Sequence, residues 1–159
     1  MDNEARPATV EPPRGHYPAR VDEKGRLKLP AAFQQLLKDL GEDKVFVTTL
    51  DISTVRIYPI SLWKQNEKFF EEAADPEIAE NVAFLADYFG ADSDIDGQGR
   101  VLVPQGLRRE LNLENQPVWL QQYKGRINVY GKPEYEGKLE SARRNPVGNL
   151  RELEKKGLR

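Results

Sequence analysis

The sequence predicts an α+β, β-rich fold built from two ββαββ units and bridged by helices. Three observations predict it. Residues 21–37, VDEKGRLKLPAAFQQLL, and residues 95–111, IDGQGRVLVPQGLRREL, repeat one pattern at a constant offset of 74. Inside each copy, apolar residues alternate along a short run and then change to helical spacing. Between the copies lie two segments of helical periodicity rather than a linker.

The elements follow in order. The chain before Asp22 reads as a strand ending in the turn Asp22-Glu23-Lys24-Gly25. Asp hydrogen-bonds the backbone of such a turn and Gly tolerates positive φ, so together they close a β-hairpin. In the next strand Leu27 and Leu29 face one side, and Arg26 and Lys28 the other. Pro30 stops the strand and suits a first helical turn. Phe33, Leu36, Leu37 and Leu40 then form one apolar stripe that Gly41 ends. Val45–Leu50 and Val55–Tyr58 give a second strand pair. In the second copy the same parts fall to Ala91–Asp96, Arg100–Val103, Gln105–Leu111, Val118–Gln122 and Ile127–Tyr130, with Asp96 and Gly99 forming the turn.

The connection reads as a helical hairpin. Ser61 is the expected N-cap of its first helix, with Trp63, Phe69 and Phe70 behind it. Asp75-Pro76 opens the second, whose expected stripe is Ile78, Val82, Leu85, Ala86 and Phe89, with Gly90 after its end. The segments divide into a disordered extension (1–13), a first repeat (14–60), the helical connection (61–90), a second repeat (91–132) and a helical tail (133–159). In the tail, Glu134–Ser141 and Asn149–Lys156 read as helix.

Composition narrows the function. The 159 residues contain no Cys, which excludes a disulfide scaffold, a thiolate zinc site and a Cys nucleophile. His16 stands alone, so a His-rich metal site is impossible and a Ser-His-Asp triad has a single candidate base. No apolar run is long enough to span a membrane, and the polar, acidic start does not read as a signal peptide. The expectation is a soluble cytoplasmic protein with no cofactor, no metal and no catalytic residues. An enzyme in which Asp22 and Asp96 share a proton would need dry loops. Here the neighbours are Glu23, Lys24, Asp92, Asp94 and Gln98, so both loops read as wet.

The net charge of −2 hides segregation. Residues 1–38 hold seven basic and five acidic groups, residues 39–96 four and fourteen, and residues 97–159 thirteen and seven. Arg14, Arg20, Lys24, Arg26 and Lys28 gather around the first turn, and as a set they read as a phosphate-binding patch. Arg26 and Arg100 each follow a turn glycine. Taken by themselves, they fit either a salt bridge to their own turn Asp or a contact to a DNA duplex.

The chain resembles the MraZ family of double-repeat, AbrB-like swapped-hairpin proteins. The resemblance is carried by Arg14-Gly15-His16-Tyr17 leading into VDEKGRLKLP, by VTTLD, RIYP and Trp63, and by YFGADSDIDGQGRVLVP with LRREL and INVY. It covers roughly residues 14–135. It implies two repeats related by pseudo-twofold symmetry and a transcriptional regulator that is nucleoid-associated. The implied partners are double-stranded DNA with direct repeats, ahead of division and cell-wall genes, and further copies of the chain in a ring-shaped homo-oligomer. It also implies that Arg14, Arg20, Lys24, Arg26, Lys28, Gln98 and Arg100 bind DNA, while Asp22, Gly25, Asp96 and Gly99 shape the turns. The chain departs from the family pattern at Gln34, where an Arg is usual, and at Gln98 and Leu102, which replace the cations Lys24 and Lys28 of the first copy. The alternative is an antitoxin-like or scaffold module whose tail, Asn149–Arg159, holds a protein partner.

Overall fold

A computed structural model describes residues 10–159 of the chain. Of the extension read over residues 1–13, residues 1–9 lie outside the described part, and residues 10–13 form neither helix nor strand. The first repeat supplies β1 (Tyr17–Val21), β2 (Arg26–Lys28), α1 (Ala31–Asp39), β3 (Lys44–Thr48) and β4 (Val55–Pro59). Two helices follow, α2 (Ile60–Glu71) and α3 (Pro76–Phe89). The second repeat supplies β5 (Ala91–Asp94), β6 (Arg100–Leu102), α4 (Gln105–Glu110), β7 (Gln116–Tyr123) and β8 (Arg126–Gly131). The tail forms α5 (Lys132–Ala142) and α6 (Pro146–Lys155).

All eight strands join one antiparallel sheet in the order β5-β3-β4-β8-β7-β1-β2-β6. The order records an exchange. β1 of the first repeat pairs with β7 of the second, and β5 of the second pairs with β3 of the first. At two places a strand meets its own counterpart. Leu27 lies opposite Val101 in the β2–β6 pair, and Arg56 lies opposite Asn128 in the β4–β8 pair. Around the first crossing, Arg26 faces Leu102 and Lys28 faces Arg100, which are equivalent pairs under the offset of 74. A pseudo-twofold axis therefore passes through both crossings. The outer strands approach each other as well. Asp96 N–H donates to Arg100 O at 3.0 Å, and Leu102 N–H donates to the Ser93 hydroxyl at 2.9 Å, so β5 and β6 nearly close the sheet.

Alternation along these strands makes the core. Val21, Leu27, Leu29, Val45, Val47, Val55 and Ile57 point inward from one repeat. Val101, Val103, Val118, Leu120, Ile127 and Val129 do so from the other. Phe33 of α1 and Leu107 of α4 join the same cluster. A smaller outer cluster holds the connecting helices: Trp63 packs its ring 4.7 Å from Phe46 and 4.9 Å from Tyr58.

Several local expectations change. Pro30 and Pro104 take the N-cap position of α1 and α4, one residue before the first helical turn. Helix α2 starts at Ile60, so Ser61 lies inside its first turn, and its N–H is accepted by the Glu42 carboxylate at 3.0 Å. Asp75 does cap α3, accepting from Ile78 N–H at 3.3 Å. The buried face of α3 is Ala79, Ala86 and Phe89, while Ile78 points outward. Gly90 is extended rather than left-handed. Its need is space: a Cβ there would lie 2.5 Å from both Ala86 O and the Phe46 ring. The tail helices begin earlier than their sequence pattern suggests, and neither buries a residue.

Leu27 is fully buried where the two repeats cross. Leu27→Ala removes apolar area and leaves a cavity shared by both repeats. We expect a loss of about 2–5 kcal/mol in urea unfolding, as one cooperative transition. Two separate transitions would show that the repeats fold independently.

Candidate nucleic-acid interface

The two turns have one geometry. The Asp22 carboxylate accepts from Lys24 N–H at 2.9 Å, Arg26 N–H at 2.8 Å and Arg26 Nε at 2.8 Å. The Asp96 carboxylate accepts from Gln98 N–H at 2.9 Å, Arg100 N–H at 2.9 Å and Arg100 Nε at 2.7 Å. Gly25 and Gly99 complete the turns with φ of 84° and 75°. The backbone bond from the following Arg holds each Asp below the usual carboxylate range, with the Arg side chain adding to it. A shared-proton carboxylate pair would raise one of the two instead. The salt bridge and the outward projection, set as alternatives above, are compatible in this geometry. Each Asp engages Nε, and among the described residues the two terminal nitrogens of each guanidinium have no further acceptor. The Asp thus orients a fork that stays open for an anion.

A second constraint acts from the opposite repeat. Arg108 of α4 lies across the Gly25 turn, and Gln34 of α1 lies across the Gly99 turn. A Cβ on either glycine would come within 2.1 Å of that side chain. Both side chains cap the strand before their own helix. Arg108 Nη1 donates to Val103 O at 2.6 Å, and Gln34 Nε2 donates to Leu29 O at 2.6 Å. Gln34 therefore performs the main-chain bond of its counterpart without the charge. Strand ends tie the turns together: Leu29 N–H donates to Gly99 O, and Val103 N–H to Gly25 O, both at 2.9 Å.

The pairing redistributes the basic residues. Lys28 belongs to the first motif in sequence, yet it sits opposite Arg100. The β1–β2 register, which sets Val21 against Leu27, brings Arg20 beside Lys28 one position further on. Arg20, Lys28 and Arg100 thus form a row across three strands, on the face away from the core. Arg26 stands opposite Leu102 instead, next to the exposed Lys24. Lys24 and Arg26 thus stand at the first turn, and Arg100 is joined by Lys28 and Arg20, which the sequence alone places around the first. Arg20 also donates to Asn115 O at 3.0 Å. Gln98 is exposed in the second turn. Arg14 precedes β1 and pairs with Glu11 at 3.0 Å. His16 Nδ1 lies 2.7 Å from the Tyr135 hydroxyl.

Sequence reading leaves out the constraint from Arg108 and Gln34. Their equal offset within the repeat was a usable signal, since both occupy the twelfth position after the turn Asp. Gly25→Ala should destabilise the protein through both positive φ and the contact with Arg108. In a double-mutant cycle, Arg108→Ala should recover part of that loss, with a coupling of about 0.5–3 kcal/mol. Strict additivity would mean that the two residues do not meet. Acid should act on the same turns. Because Asp22 and Asp96 are depressed, their stabilisation is present above the unfolded carboxylate range near 3.8 and fades as pH falls through their lower folded values. Carboxyl NMR titrations with midpoints at or above 3.8 would contradict this.

Comparison with known proteins places this geometry. Residues 90–152 match the family described as "MraZ protein, putative antitoxin-like". A "Transcriptional regulator MraZ" of Acidobacterium capsulatum is 37% identical over 107 residues, covering 66% of this chain and 73% of the relative. The protein of that name from Koribacter versatilis is 38% identical over 101 residues, covering 61% and 67%. That of Neisseria meningitidis is 28% identical over 133 residues, covering 80% and 85%.

Proposed function

The chain belongs to the MraZ family, and from that premise we propose that it regulates transcription by binding DNA through its two Asp-x-x-Gly-Arg turns and the basic row between them. The family is one of transcriptional regulators, not enzymes. The observation that carries the DNA reading is the pair of identical turns, each holding an arginine fork by Nε with its terminal nitrogens open. A pinned guanidinium has already lost its rotamer freedom, so less is lost on meeting a phosphate or a guanine edge. Lys24, Lys28 and Arg20 supply charge beside it, and Gln98 a polar contact. A two-stranded ribbon such as β2–β6 is an element that grooves admit. Among the described residues, no helix is long and apolar enough to cross a membrane. The proposed place of action is the nucleoid, at promoters of division and cell-wall genes.

One subunit of net charge −2 has few cations for a duplex. Assembly would multiply them, and complementary surfaces support it. Phe84 and Tyr88, one helical turn apart on α3, are exposed, as is Phe69 on α2. Residues 60–89 hold seven acidic and two basic groups. On α6, Val147, Leu150 and Leu153 form an exposed stripe, and residues 143–159 hold six basic and two acidic groups. The occupant we assign to the α2–α3 face is the tail of a second copy. A contact between two different faces continues head-to-tail and closes into a ring when the rotation permits.

Two experiments test this reading. First, Lys24→Ala with Arg26→Ala, and Lys28→Ala with Arg100→Ala, should each flatten the slope of log affinity against log salt by about 2. The near-equality follows from the strand pairing. A full slope retained by both double variants would sink the DNA role of the turns. Second, light scattering should give a mass several times 18.2 kDa, and affinity should climb about 10²–10⁴-fold from one-repeat to three-repeat probes spaced near 10 bp. A monomer, or equal affinity for all probes, would defeat the multivalent arrangement.

A further inference from the structure

The second crossing of the pseudo-twofold axis carries two arginines that the turns do not use. Arg56 of β4 and Arg126 of β8 line a cavity of about 540 Å³ on the outside of the sheet, with Asn128, Tyr130 and, from α5, Lys138. Tyr135 of α5 stacks on Trp119 of β7 at 4.8 Å between centroids, which fixes that wall. Burial, and after it the charge of Arg56, lower Arg126 from the usual guanidinium range. Neither has a carboxylate partner among the described residues. Arg56 Nη1 donates to the Tyr58 hydroxyl at 3.1 Å, and Arg126 Nε donates to Asn128 Oδ1 at 3.1 Å, both neutral acceptors. Arg56 Nε is shut off from solvent and has no acceptor among the described residues.

Two acidic residues border the cavity, Asp51 and Glu134. Asp51 is committed to its own turn, accepting from Ser53 N–H and Thr54 N–H at 3.0 Å each and from the Thr49 hydroxyl at 3.2 Å. Glu134 makes no ion pair among the described residues. Three cations therefore face a space that two acids do not neutralise.

We propose that this cavity is an anion site for a phosphorylated small molecule, with Arg56, Arg126 and Lys138 as its cationic ligands. Donors converge from two strands and a helix in different directions, which suits a tetrahedral oxyanion better than a planar carboxylate. The cavity exceeds the size of a lone phosphate, so the group it takes is one end of a larger molecule. An anion there would offset the charge that Arg56 places on Arg126.

The test uses the full chain without DNA, with pyrophosphate as the probe and chloride of matched ionic strength as reference. Pyrophosphate at 100 times its dissociation constant should raise the wild-type melting temperature by about 5–10 °C. Arg56→Gln and Arg126→Gln should melt at or above the wild type in chloride, because each removes one of two repelling charges, and should lose the rise. Arg26→Gln with Arg100→Gln should keep the rise, which separates this cavity from the turns proposed to hold DNA phosphates. If a glutamine variant melts below the wild type, Arg56→Lys decides by calorimetric titration: binding weakened about tenfold or more supports the fork, and unchanged binding overturns it. No rise in the wild type, a rise kept by Arg126→Gln, or a rise lost in Arg26→Gln with Arg100→Gln overturns the site.

Discussion

The antiparallel contact between β2 and β6, centred on Leu27 and Val101, is the constraint on which the rest of the structure depends. It forces each turn against the opposite repeat. Arg108 then lies over Gly25, Gln34 lies over Gly99, and Leu29 and Val103 bond to the far turn. Neither repeat has a complete environment for its own glycine. A unit of this size also has too little interior to stand alone. Exchange of β1 and β5 solves both problems, since each of the two repeats finishes the other's sheet.

The same exchange decides the electrostatics. Lys24, Arg26 and Lys28 stay sequence neighbours in the first hairpin, and the crossing sets Arg100 of the second opposite Lys28. Asp22 and Asp96 keep the turn arginines from being free charges by taking Nε and leaving the fork. At the other crossing Arg56 and Arg126 bond to the neutral acceptors Tyr58 and Asn128 and to no carboxylate among the described residues. The two ends of one axis thus treat arginine in opposite ways: partnered and poised at one, crowded and short of acceptors at the other.

Much of this was legible in the residues because it is local. Asp, Gly and Pro at fixed spacing specify a turn, a strand and a helix start, and a second copy at one offset confirms the reading. The α+β class, the two repeats and the helical connection follow from that arithmetic. The MraZ assignment rested on the same motifs, and the relatives bear it out. What was not legible is non-local. No spacing says that Lys28 will face Arg100, that Gly90 must admit the Phe46 ring, or that Glu42 will cap α2 at Ser61. Arg56 and Arg126 also escaped notice. A polar residue alternating with Val55 and Ile57 reads as an ordinary outer face until register sets the two strands side by side.

Sheet order has a consequence for the growing chain. β1 finds its main partner in β7, with Tyr17 opposite Leu120. The first strand to leave the ribosome waits until most of the polypeptide has been made. Until β5 follows, β3 and β4 form only a hairpin, which is marginal by itself, and until β7 follows the apolar face of Val21 lacks its cover. Such long-range pairing slows folding and leaves edges available to the wrong partner. Two nascent chains on one message, each offering an unfilled β1, could trade strands between molecules as readily as within one. In this architecture, the order of synthesis makes intermolecular exchange a direct competitor of the native fold.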